Sequence, residues 1–217
     1  MIPKTIHYCW YGQQRKTPLV ERCIRSWRKF CPGWEICEWN ESNLDVNRSR
    51  FAADAYRARK WGFVPDPLRM IKIHEAGGVY FDTDVELIAP IDDLLSEPFF
   101  ACEHDDPLYV NPGLGFAAEK GDPVIRAIVE KYETLTFDPA CHMAQTSPAV
   151  VTEVLRRFPS VRRLPARVFN PKGGCAGEIQ LSSDTRGIHH FAASWFNWKQ
   201  RLAYIWYPRV RRLFGRR

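Results

Sequence analysis

The sequence predicts an α/β domain in three layers, a central sheet flanked by helices. Short apolar, strand-favouring runs alternate with segments whose apolar residues recur at helical spacing. Turn and capping residues at Cys31-Pro32-Gly33, Asp66-Pro67 and Gly77-Gly78 separate them. No low-complexity run, repeat or linker-like stretch divides the 217 residues, which suffice for one sizeable core. Residues 1–207 therefore read as one domain and 208–217 as a basic tail.

Thr5 to Trp10 alternates as an opening strand, closed by Tyr11-Gly12. Val20, Cys23, Ile24, Trp27 and Phe30 mark a helix from Pro18 to Phe30. Trp34 to Trp39 reads as a second strand and Ser49 to Lys60 as a second helix. Asp66-Pro67 opens a third helix, an acid suited to the N-cap followed by proline at the first helical position. Gly77-Gly78 gives that helix a left-handed stop. Val79, Tyr80 and Phe81 then form a buried strand. A strand near Phe99 to Glu103, a helix after Asp122-Pro123, a helix from Pro148 to Phe158 and a strand from Gly187 to Phe191 complete the alternation.

Composition excludes several classes. The chain is 45% hydrophobic and 26% charged, as ordinary globular proteins are. Seven cysteines without a CxxC pair argue against a disulfide framework and a zinc knuckle, and fit a reducing, cytoplasmic compartment. The opening MIPKTIHYCWYG lacks the apolar run of a secretory signal, and no stretch approaches a membrane span. The net charge of +6 is concentrated at the end, where PRVRRLFGRR holds five arginines and no acid. No nucleic-acid recognition signature accompanies it.

Within EAGGVYFDTDVEL, an apolar strand runs directly into Asp82 and Asp84. Residues two apart on a strand face the same way, so persisting strand geometry puts both carboxylates on one side. Close carboxylates repel unless a proton or cation lies between them. A hard divalent ion, Mg²⁺ or Mn²⁺, suits such ligands and also grips diphosphates. Strand ends are where open α/β sheets place ligands.

The runs IPKTIHYCWYG, PDPLRMIKIHEAGGVYFDTDVEL and IHHFAASW resemble the DXD-motif sugar-transferase family. That family comprises glycosyltransferases of GT-A fold and is similar in its core to the glucosyltransferase domains of large clostridial toxins. The resemblance implies a Rossmann-like nucleotide-sugar-binding domain with a mixed sheet, and sugar transfer with retention. It implies that Asp84 binds the metal and that Asp82 touches the donor ribose and the metal. Asp66 and Arg69 match its S-D-x-x-R pattern and would contact the donor, although Pro65 stands where serine is usual. Trp10 would stack on the base, and Ser194 and Trp195 would reach the diphosphate. His189, or else His190, would complete the metal site. The partners implied are a nucleotide-diphosphate sugar and a glycan or lipid-linked acceptor, in bacterial surface polysaccharide synthesis.

Purely structural readings stand beside these. Asp66 is a natural N-cap with Arg69 as its i+3 partner, and Trp10 can serve as packing. An apolar strand ending in D-x-D also opens haloacid-dehalogenase-type phosphatases, with Asp82 as nucleophile and Lys120 and Asp122 in support. A third reading is a carbohydrate-binding module whose acids hold calcium. Glu103, Asp105 and Asp106 follow a strand and could face an acceptor. Residues 199–217 mix apolar and aromatic side chains with seven basic ones, as interfacial segments do, and suggest peripheral contact with anionic membrane.

Overall fold

The computed structural model describes residues 1–106, 108–172 and 177–192. Eight strands and five α-helices follow one another as β1 (Thr5–Cys9), α1 (Pro18–Phe30), β2 (Glu35–Trp39), α2 (Arg50–Arg57), α3 (Pro65–Ala76), β3 (Gly78–Tyr80), β4 (Val85–Leu87), β5 (Phe99–Cys102), β6 (Phe116–Ala118), α4 (Pro123–Glu133), α5 (Ser147–Leu155), β7 (Arg162–Leu164) and β8 (Gly187–His189) among the described residues. Six strands form a mixed sheet in the order β2-β1-β3-β6-β5-β7. β1 runs parallel to β2 and β3, β6 is antiparallel to β3 and β5, and β7 is parallel to β5. β4 and β8 form a separate antiparallel ribbon.

Alternation along β3 divides the core. Tyr80 faces a cluster with Leu68, Ile73, Phe116, Ile125 and Ile128, under helices α2 to α5. Val79 and Phe81 face the opposite cluster with Ile24 and Trp27 of α1. The ribbon is tied to α1 by Trp27, whose indole donates to Val85 O at 2.8 Å, and by Ser26 Oγ, which accepts from Leu87 N at 2.9 Å.

The glycine pair before β3 is a requirement of space as well as of turn. Gly77 and Gly78 have φ of 71° and 111°. A Cβ on Gly78 would lie 2.8 Å from His7 Nε2 and Thr5 O, so the helix-to-strand turn passes directly over β1.

Two expectations are corrected. Asp66 does not cap α3, which begins at Pro65 after Val64 and has no side-chain cap. The strand preceding the acids stops at Tyr80, two residues short of Asp82. Strands β4, β6 and β7, each three residues long, carried too few positions for a periodic signal. The six described cysteines are free. Among the described residues, no helix is long and apolar enough to cross a membrane. Residues 199–217, to which membrane contact was assigned, lie outside the described residues.

Candidate active site

The C-terminal ends of β1, β3 and β5 open on one rim of the sheet. β1 delivers Trp10, and β3, in parallel register with it, delivers Asp82. β5 reaches the same rim because Ala101 and Tyr80 both pair with Phe116 of the intervening β6.

Turn geometry, not strand alternation, brings the two acids together. Asp82 N donates to Gly113 O at 3.3 Å, and Val85 N returns to Asp82 O at 3.1 Å, closing a turn through Thr83 and Asp84. The chain thereby leaves the main sheet and enters the ribbon, where His189 lies opposite Val85. One ligand atom from each of Asp82, Asp84 and His189 lies within 4.8 Å of the others. His189 Nε2 is 3.1 Å from Asp84 Oδ1, while Asp84 Oδ2 accepts from Ala192 N at 2.8 Å. Among the described residues, His189 Nδ1 is buried without a partner.

The neighbours set the two acids apart. Burial alone would raise Asp84, but the facing His189 and the Ala192 N–H hold it down at about 2. Burial raises Asp82 against the pull of Arg69. Burial would lower His189, but Asp84 outweighs it and the imidazole is raised.

Behind Asp82 stands a buried cation. Arg69, 3% exposed, donates Nη1 to Asp82 Oδ1 at 3.0 Å, and Nη2 to Asp66 and, at 2.6 Å, to Ser147 Oγ. Its guanidinium carbon lies 5.0 Å from the centre of the Tyr80 ring. Two carboxylates sharing one guanidinium keep Arg69 charged and raised, despite burial that would lower it. Burial raises Asp66 to about 7, with Arg69 opposing. The i+3 relation is therefore real, but it serves the rim and not a helix cap.

Trp10 sits half-buried at the end of β1, its indole donating to Gln14 O at 2.7 Å. His190 turns away from the cluster; its Nε2 lies 2.8 Å from Glu86 Oε2 and 3.3 Å from Arg22 Nη2. It does not join the cluster with Asp82 and Asp84, whereas His189 does, as expected for adjacent residues on opposite faces. Ser194 and Trp195 lie outside the described residues. The phosphatase constellation does not assemble. Asp122 caps α4, accepting from Val124 N at 2.8 Å and Ile125 N at 3.1 Å. Lys120 sits beside Gly77, at the end of β3 opposite Asp82.

Two participants escaped the sequence reading. Ser147 supplies Arg69 with a hydroxyl that Pro65 cannot, and its only local signal was Ser-Pro at a helix start. Gly113 packs so closely against Asp82 that a Cβ there would collide with the carboxylate. It lies in a loop, NPGLG, whose turn residues were visible but whose place was not.

The mixed six-stranded sheet with the acid pair at its rim is a fold of GT-A type. More particularly, residues 17–101 match the family described as "Glycosyltransferase sugar-binding region containing DXD motif". The matched segment includes Asp66, Arg69, Asp82 and Asp84. A curated relative, "Subversion of eukaryotic traffic protein A" of Legionella pneumophila, is 24% identical over 125 residues; the match covers 45% of this chain and 19% of that protein. The solved structure titled "PaToxG Glycosyltransferase" shares the fold with a TM-score of 0.57 at 14% identity, covering 72% of this chain and 70% of that one.

Proposed function

We propose that the chain transfers a sugar, with retention, from a nucleotide-diphosphate sugar to a glycan or lipid-linked acceptor, using Mn²⁺ or Mg²⁺ held by Asp82, Asp84 and His189. The observation that carries this reading is the convergence of two carboxylates and one imidazole within 4.8 Å. Carboxylate oxygens suit Mg²⁺ and Mn²⁺, and the imidazole nitrogen favours Mn²⁺ of the two. When bound, such an ion offsets charge growing on the leaving diphosphate.

The chain's own residues supply position. Arg69 orients Asp82 from behind, and Asp66 and Ser147 fix Arg69, so the rim acid has one preferred direction. Trp10 offers a ring face at the neighbouring strand end for the donor base. The resemblance supports a bacterial surface polysaccharide as the product. Binding of UDP- and GDP-sugars should be measured with Mn²⁺ and with chelator, alongside sugar release from the donor. Nucleotide-sugar binding that requires the ion and disappears in Asp84→Asn supports the reading. Undiminished turnover in chelator would overturn the metal dependence.

A further inference from the structure

Among the described residues, Asp105 is the one of the three acids beyond β5 whose carboxylate is held by a buried side chain. Asp106 Oδ1 accepts from Leu108 N at 3.0 Å and so serves its own loop. Glu103 pairs with Val110 across the base of that loop. Asp105 is exposed, yet its Oδ1 accepts a 2.7 Å hydrogen bond from Nδ2 of Asn170.

Asn170 is 3% exposed, and among the described residues its Oδ1 has no hydrogen-bond partner. A carboxylate can only accept, so the amide nitrogen must face Asp105 and the oxygen must be the unpaired side. Burying an unpaired amide oxygen costs free energy that a ligand donor would recover. Asn170 is also fastened to the metal strand, because the preceding Phe169 O accepts from His189 N at 2.7 Å. The pair thus carries two acceptor oxygens, a charged one on exposed Asp105 and a neutral one buried beneath it, on the segment hydrogen-bonded to His189 N.

Sheet order says which part of a donor meets them. β1 with Trp10, β3 with Asp82 and β5 with the Asp105 loop occur in that order along one rim. β5 is two strand spacings from β3, about 10 Å. A nucleotide-diphosphate sugar is itself linear: base, ribose, diphosphate, sugar. With the base at Trp10 and the diphosphate at Asp82, Asp84 and His189, the sugar ring falls toward β5. We infer that Asp105 and Asn170 form the subsite that accepts hydrogen bonds from hydroxyl groups of the donor sugar. This rests on the nucleotide-sugar reading above and adds where the sugar is recognised.

The test compares each nucleotide sugar with its own nucleotide diphosphate. Affinities for UDP, UDP-glucose, UDP-galactose, GDP and GDP-mannose are measured by calorimetry in Mn²⁺ for the native chain, Asp105→Ala, Asp105→Asn and Asn170→Ala. For the best-binding sugar nucleotide, Asp105→Ala and Asn170→Ala should each weaken binding about tenfold or more, the loss of a hydrogen bond to a charged or buried group. Affinity for the matching diphosphate should not change. Asp105→Asn, which keeps one acceptor oxygen, should lose less than Asp105→Ala. Equal weakening of both ligands would assign the pair a structural role and overturn the inference, as would no weakening of either. A native chain that binds neither ligand would instead overturn the nucleotide-sugar reading itself.

Discussion

Arg69 reaches from the buried face of α3 to Asp82 at 3.0 Å, so an acid at the open rim is oriented by a charge sealed behind it. Asp66 and Ser147 hold the same guanidinium, which leaves the cation compensated in a place where water cannot serve. Removing one member of such a set strands the others.

Arg69→Ala should therefore destabilise the fold by about 3–5 kcal/mol, since it leaves Asp66 buried without its cation. Arg69→Lys should also lose stability, because an ammonium cannot fork between Asp66 and Asp82. Urea unfolding monitored by tryptophan fluorescence reads both losses. A change below about 1 kcal/mol, the size of a lost helix cap, would remove the ion set from the account.

Mn²⁺ should stabilise the native chain and leave Asp84→Asn unmoved. Ligand bound only by the folded state adds about 2.7 kcal/mol at one hundred times its Kd, which raises Tm visibly. Thermal melts with Mn²⁺ and then with excess chelator check this. An equal shift in Asp84→Asn would place the ion elsewhere.

Trp10→Ala should raise the Kd for nucleotide diphosphate, because base stacking contributes roughly 1–3 kcal/mol. Its indole already has a partner in Gln14 O, so the ring face is what remains to offer. Calorimetry with nucleotide diphosphate is the measurement, and unchanged affinity would return Trp10 to packing.

His7 should make the fold acid-sensitive below pH 6.5. Trp39 Nε1–H can only donate, so Nδ1 of His7 accepts at 3.0 Å; Gly77 O can only accept, so Nε2 carries the proton at 3.0 Å. The bond from Trp39 requires Nδ1 unprotonated, hence the neutral ring, and burial lowers the pKa from 6.5 to about 4 although the bond to Gly77 O opposes it. Between those values the unfolded chain takes up a proton that the folded chain refuses. Stability is thus full above pH 6.5 and falls as pH drops toward 4, by about 2 kcal/mol at pH 5. His7→Gln should lose this difference when unfolding free energies at pH 7.5 and 5 are compared with those of the native chain. A native slope no steeper than that of His7→Gln would contradict the assignment.

Local signals made much of this legible. Helices α1 and α4 carry apolar faces over three or more turns and end at capping or turn residues, so their spans follow from periodicity. The glycine pair announces a turn with positive φ because no other residue adopts it cheaply. Three-residue strands offer no such redundancy, which is why β6 and β7 went unseen although they complete the sheet.

By itself the sequence determined that an apolar strand would be followed within a few residues by a pair of acids. It also determined that helix α3 would precede them with Asp66 and Arg69 on one face. Those relations span only a few residues, and backbone geometry alone enforces them. Tertiary structure decided which histidine faces Asp84, 105 residues further along, because only the pairing of β8 with β4 sets that register. It decided that Arg69 belongs to Asp82 and Ser147 as well as to its helix neighbour, and that Asn170 meets Asp105. Such partners are brought together by sheet order and core packing, and no local spacing encodes how distant segments fall against one another.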